Sequence, residues 1–273
     1  MNAAYSAYVP CCNNAATVRR AVESVLEQSI RPAEVLVVDD GSSDASLAAL
    51  AGLPVRIVRH DGNLGRGAVR ARAMRELSQA FVLCCDATNV LPPDFFLRAL
   101  RPFAAERVAA VCGRIAQPPG GGAVARWRGR HLFKLGVRLP PRRDAVLATY
   151  GTLVRASAVA AAGGYDARLR HTEDADLGGR LRAAGFDVVF DPELSVLSIA
   201  PARLGPTLER YWRWYAGSDE TVTWRGYVRN LGYAARTMAV ADLRAGDPAS
   251  ALISLLAPHY QFWKSRLRRA SRR

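Results

Sequence analysis

Glu34-Val35-Leu36-Val37-Val38-Asp39-Asp40-Gly41-Ser42-Ser43-Asp44 is the stretch on which the fold turns. Its first half is a continuous apolar run rich in β-branched residues, with no polar alternation. Such a strand is buried on both faces, and that is the habit of parallel sheets covered by helices on each side. The run stops at two carboxylates and a polar turn that opens a helix through Ser46 to Leu50. Upstream, Ala7-Tyr8-Val9 reads as a short strand ending at Pro10. Val18, Ala21, Val22, Val25 and Leu26 form a helical stripe within Thr17 to Gln28. Downstream come a strand at Val55 to Val58, a helix at Ala68 to Gln79 and a strand at Ala80 to Cys85. This β-α-β-α-β order predicts an α/β fold with a doubly wound parallel sheet that binds ligands at the strand C-termini.

After Asp86 the alternation loosens. Pro93 to Phe103 reads as a helix, Val108 to Ile115 as a strand, and Pro118 to Gly122 as a flexible turn before a basic loop or helix. Ala156 to Ala162 and Asp174 to Ala184 are helices stopped by glycine, and Asp187 to Phe190 returns to the sheet. From Pro206 the chain is helical and aromatic-rich. The expected organisation is one domain over 1–204, followed by a helical, basic extension over 205–273.

The 273 residues carry a net charge of +14, and that charge is localised. Arg114 to Arg143 holds seven Arg, one Lys and no acid, and Lys264 to Arg273 holds five Arg and one Lys, which together make up the whole excess. Phosphate-bearing partners fit such a surface. Of the 38 basic residues 36 are Arg, a bias that composition alone can produce, so basicity does not establish a nucleic-acid partner. The cysteines, Cys11-Cys12, Cys84-Cys85 and Cys112, lack metal-ligand or disulfide spacing and read as small buried residues in a reducing compartment. No leader is visible. The uncharged run Ala249 to Trp263 falls short of the roughly 20 residues of a spanning helix, so a cytoplasmic location is expected.

Four polar clusters lie at strand ends or helix starts: Pro10 to Asn13, Asp39-Asp40, Asp86 to Asn89 and Glu173-Asp174. Each alone is an ordinary turn or cap. Their order is not. Tyr8-Val9-Pro10-Cys11-Cys12-Asn13, Val37-Val38-Asp39-Asp40-Gly41-Ser42, Asn63-Leu64-Gly65 with Arg70, Asp86-Ala87-Thr88, Gly163-Gly164-Tyr165-Asp166 and Glu173-Asp174 together resemble the family 2 glycosyltransferases over about residues 7–200.

The resemblance implies a GT-A fold, with a donor half to about 112 and an acceptor half from 113 to 204, and sugar transfer from a nucleoside diphosphate sugar to a carbohydrate or lipid-linked acceptor with inversion, in cell-envelope or polysaccharide assembly. It implies that Pro10, Cys12 and Asn13 pack on the base, that Asp40 accepts from a pyrimidine imide, and that Arg70 lies near the base or pyrophosphate. It also implies that Asp86 is on the ribose side, that Glu173 is on the acceptor side, and that Asp174 is the general base. The family's cation-binding Asp is here Thr88, and a His that often completes the site is here Ser198, leaving Asp86 as the remaining motif carboxylate. Magnesium or manganese dependence is therefore expected to be weak or absent. Charge on the departing diphosphate is then expected to fall to Arg126, Arg128 and Arg130.

Arg210-Tyr211-Trp212-Arg213-Trp214-Tyr215 interleaves cations with rings, as sugar-stacking and membrane-interface segments do, which makes Arg210, Trp212 and Trp214 acceptor-side candidates. Leu252, Ile253, Leu255, Leu256, Phe262, Trp263 and Leu267, ahead of the basic end, read as an interfacial helix on an anionic membrane. The alternative function is a non-catalytic homologue, favoured by Thr88, Ser198 and Cys12 and opposed by Asp174. A dinucleotide-dependent oxidoreductase lacks its GxGxxG after the first strand.

Overall fold

In the computed structural model the strand read first, β2, runs from Glu34 to Asp39, with Val35 to Asp39 buried. The structure describes residues 4–215 and 221–271, with side chains of the last helix as far as Leu267. Eight strands form one sheet: β1 (Tyr5–Cys11), β2, β3 (Arg56–Arg59), β4 (Phe81–Cys85), β5 (Asn89–Val90), β6 (Val108–Ala116), β7 (Gly151–Arg155) and β8 (Asp187–Ser198). Their order is β3-β2-β1-β4-β7-β6-β8-β5. Strands β1 to β4 are mutually parallel, as are β6 and β8, whereas β7 runs antiparallel to both β4 and β6. The mostly parallel sheet agrees with the sequence reading.

Alternate residues of each central strand enter different cores. Val9, Val37 and Leu83 join Val22, Val25, Phe95 and Phe96 on one face. Tyr8, Leu36, Val38 and Cys84 join Val69, Ala73, Leu177 and Leu181 on the other. Helices Val18–Leu26 and Phe95–Leu100 supply the first core, and Arg66–Glu76 and Glu173–Ala183 the second. Burial on both faces is why the strands show no alternation.

Register places the site. Cys11 pairs with Asp39, and Tyr8 with Cys84, so Pro10–Cys12, Asp39–Asp40 and Asp86 emerge from one sheet edge. Strand β7 is absent from the elements read in the sequence. Cys85 pairs with Gly151, so β7 starts at that same edge and delivers Thr149 and Tyr150 beside Asp86. Strand β8 continues well past Phe190, setting Ser198 opposite Asn89.

The chain divides into two units, 1–118 with 138–200, and 119–137 with 201–273. The basic segment 119–137, read as part of an acceptor half, groups instead with the C-terminal residues. Within this second unit, helix Ala123–Trp127 and the turns after it are bound to the C-terminal helices by buried acids. Asp247 accepts from Arg126 at 2.7 and 2.8 Å, and Asp242 accepts from Arg130 and from His131 Nε2 (2.8 Å). Trp127 donates its indole N–H to Ser254 at 2.8 Å. The 24-residue helix Pro248–Ser271 turns Ala251, Ile253 and Ala257 inward and leaves Leu252, Leu255, Leu256, Trp263 and Leu267 exposed.

Candidate active site

Three loops at the sheet edge form one hydrogen-bonded rim. Asn13 adopts a left-handed φ of 54°, a conformation Asn tolerates better than most residues. Its backbone N–H donates to Ser42 Oγ at 2.9 Å, and its side-chain oxygen accepts from the N–H groups of Ser43 (2.9 Å) and Asp44 (3.3 Å). Asn63 reaches Cys12 Sγ at 3.2 Å. Asp40 closes the third loop: Oδ1 accepts from Leu64 N–H and lies 2.9 Å from His60 Nδ1, and Oδ2 accepts from Gly65 N–H at 2.8 Å. Gly65 has φ +99°, and a Cβ there would stand 2.8 Å from Arg170 Cα, so only glycine fits. Asp40, expected to face a base, is buried with both oxygens already bonded to the 60–65 loop. Its neighbour Asp39 pairs with Arg59 at 3.2 Å through Oδ2, while its buried Oδ1 has no hydrogen-bond partner among the described residues.

Behind the rim lies a buried ion cluster. Arg70 is 1% exposed. Its Nε donates to Glu173 Oε1 at 2.8 Å and its Nη2 to Asp86 Oδ1 at 3.1 Å, while Nη1 donates to Tyr8 Oη (3.1 Å) and Cys84 Sγ (2.8 Å). The expectation that Arg70 lies near the base or pyrophosphate is corrected here: the guanidinium is enclosed by protein, with its donors spent on the two acids and the strands. Glu173, read as acceptor-side, is equally buried and faces Arg70.

Asp174 is half-buried at the first turn of its helix. Oδ1 accepts from Ala175 N–H at 2.8 Å and Oδ2 from Thr149 Oγ1 at 3.3 Å. Burial, and then the charge of Glu173, raise its pKa above the ordinary carboxylate value, with Arg70 and Arg66 pulling the other way. The preceding Thr172 has φ +65°, a strained conformation for a β-branched residue, and strain of this kind clusters at functional sites. A carboxylate with raised proton affinity and access to solvent is suited to general base work.

Asp86 is about a quarter exposed, with one oxygen held by Arg70. Thr88 is half-buried and its carbonyl accepts from Ile199 N–H at 2.8 Å. Among the described residues no group of three His, Cys, Asp or Glu side chains is placed to hold a metal ion. Trp212, expected to stack on an acceptor, is fully buried in the second unit's core. Trp214 is 40% exposed and packs near Phe133, and Arg210 is half-buried in the same helix. Arg126 and Arg130 are engaged by Asp247 and Asp242, and Arg128 is buried with its guanidinium 5.2 Å from the Phe133 ring centre, so this segment's cations serve its own packing. Sequence reasoning missed His60 and Thr149. Neither sits in a polar cluster, and only the tertiary contacts reveal them.

An eight-stranded, mostly parallel sheet with carboxylates gathered at its strand C-termini is the architecture of the GT-A glycosyltransferase fold. The Glycosyl transferase family 2 model matches residues 6–162, and the chain belongs to that family of transferase enzymes. The pre-mycofactocin glycosyltransferase of Mycobacterium tuberculosis is 30% identical over 194 residues, covering 67% of this chain but 40% of that protein. The succinoglycan biosynthesis protein ExoA of Rhizobium meliloti is 27% identical over 223 residues, 77% of this chain and 67% of that protein. Among solved structures, the mannosyltransferase PcManGT of Pyrobaculum calidifontis, in complex with GDP-Man and Mn2+, superposes with TM-score 0.61 at 15% identity, over 98% of this chain and 74% of that one.

Proposed function

We propose that the chain transfers a sugar from a nucleoside diphosphate sugar to a carbohydrate or lipid-linked acceptor hydroxyl with inversion, in cell-envelope or polysaccharide assembly. The observation that carries this reading is Asp174: a half-buried carboxylate of raised pKa beside a strained Thr172, in the unit whose sheet edge bears the Asp40 and Asp86 loops. Asp174 removes the hydroxyl proton as the acceptor oxygen attacks the anomeric carbon, and the bond to the departing diphosphate breaks on the opposite face. Pro10, Cys12 and Asn13 shape the base end, and Asp40 acts by holding the 60–65 loop. The relative named for succinoglycan biosynthesis supports a place in polysaccharide assembly.

The neighbour in complex with Mn2+ makes a divalent cation a natural companion of the donor, but the residues here fit one poorly, since Asp86 has one oxygen held by Arg70 and Thr88 offers a hydroxyl in place of a carboxylate. Donor binding therefore depends only weakly on magnesium or manganese. Arg66, half-buried where helix Arg66–Glu76 opens directly after the 60–65 loop that Asp40 holds, is the cation we assign to the diphosphate in place of the 126–130 arginines. The exposed apolar face of helix Pro248–Ser271 supports contact with an anionic membrane; Arg272 and Arg273, on which that reading also draws, lie outside the described residues. No helix among the described residues is long and apolar enough to cross a membrane.

A panel of nucleotide sugars tests the reading by thermal stabilisation and by diphosphate release. A ligand at 100 times its Kd adds about 2.7 kcal/mol to stability. Stabilisation without release, across a panel of acceptors, would favour the non-catalytic alternative. Absence of both stabilisation and release would overturn the proposal.

A further inference from the structure

Arg70 is placed to do something other than bind the donor. It lies 62 residues from Tyr8 and 103 from Glu173, yet its guanidinium joins four elements. From β4 it holds Asp86, at the rim, and Cys84. From the helix that bears the base it holds Glu173, whose other oxygen, Oε2, is buried with no hydrogen-bond partner among the described residues. A second path runs from the same group toward the base. Cys84 Sγ donates to the Thr149 carbonyl at 3.1 Å, and Thr149 Oγ1 donates to Asp174 at 3.3 Å. Both routes lie within the first unit, and both end at Glu173-Asp174.

We propose that Arg70 is a positioning residue that fixes the donor-side carboxylate Asp86 and the base-bearing turn Glu173-Asp174 as one rigid body, and that it does not touch the donor. The inference rests on the reading of Asp174 as the base. The planar fork is required. Lysine would bring the charge, but as a point charge on a flexible stem it cannot reach four acceptors in fixed directions. The charges facing Asp174 are Glu173, Arg70 and Arg66, while Tyr150, Tyr165 and Cys112 near it are kept neutral by burial.

The test compares Arg70→Lys, Arg70→Gln and Glu173→Gln in the full chain, each checked for a cooperative melt. UDP and GDP binding is measured by calorimetry, and the Asp174 carboxyl is titrated by carbon NMR. Whichever diphosphate binds the parent chain should bind Arg70→Lys and Arg70→Gln about 10-fold more weakly, because Asp86 is released, and Glu173→Gln within about twofold. The Asp174 pKa should rise in Arg70→Gln and fall in Glu173→Gln, opposite signs that general loosening does not produce. If the Arg70 variants do not fold, Thr149→Val takes their place, and an Asp174 signal unchanged in both it and Glu173→Gln would refute the coupling. Parent-like diphosphate affinity in Arg70→Lys, or a donor complex with Arg70 against the nucleotide, would overturn the proposal. Full turnover in Asp174→Asn would sink the base assignment instead, leaving the Arg70–Asp86 arm intact.

Discussion

Replacing Asp242 by alanine tests how the second unit holds together. Asp242 is fully buried and accepts from Arg130, His131 Nε2 and Ser254 Oγ, the last two at 2.8 and 2.5 Å. Alanine strands two buried donors and leaves the half-buried Arg130 with its 3.6 Å contact to Asp247 alone. Breaking a buried pair by removing one partner costs about 3–5 kcal/mol. In a unit of roughly 90 residues each kcal/mol lowers Tm by about 4–8 °C, so the expected loss is about 12 °C or more. The assay is intrinsic fluorescence, because all five tryptophans, at 127, 212, 214, 224 and 263, lie in this unit and report on it alone. Acidification adds a signed check. Burial lowers the His131 pKa, with Asp242 pulling the other way, so its contribution to stability is complete above the unfolded value of about 6.5 and is lost as pH falls below it. In Asp242→Ala that opposing pull disappears and the acid loss should steepen. A fluorescence melt within about 2 °C of the parent would refute the reasoning.

Asp174→Asn should fold and bind donor while turnover, read as diphosphate release, falls roughly 100-fold or more. Asp40→Ala should weaken diphosphate binding and loosen residues 60–65, seen as faster amide exchange at Leu64 and Gly65; unchanged exchange there would remove Asp40 as the loop's anchor. Thr88→Asp should make donor affinity more dependent on manganese, and a parent protein inactivated by chelator would show that the cation has ligands outside this motif. Trp263→Glu with Leu267→Glu should reduce sedimentation with anionic vesicles at low salt. Deleting residues 249–273 is a poorer test, because Ala251, Ile253 and Ala257 of that helix are buried.

The sheet's parallel half and the order of its loops were legible in the residues, because both obey local rules. A strand covered on both faces must be apolar throughout, as Val35 to Val38 are, and the polar clusters follow strand ends by one or two residues. Asp174 was singled out differently, by its match to the base position of a family that the ordered motifs resemble. Other roles were decided by packing between residues far apart in sequence. Arg70 had the form of a ligand-binding arginine until Glu173 and Asp86 closed around it. Arg126 and Arg130 had the form of a free basic patch until Asp247 and Asp242, more than a hundred residues on, neutralised them. Trp212 and Trp214 are two residues apart in one helix, yet one is core and the other surface. A side chain's type states which interactions it can make, and burial with its partners decides which of them it has left to offer a substrate.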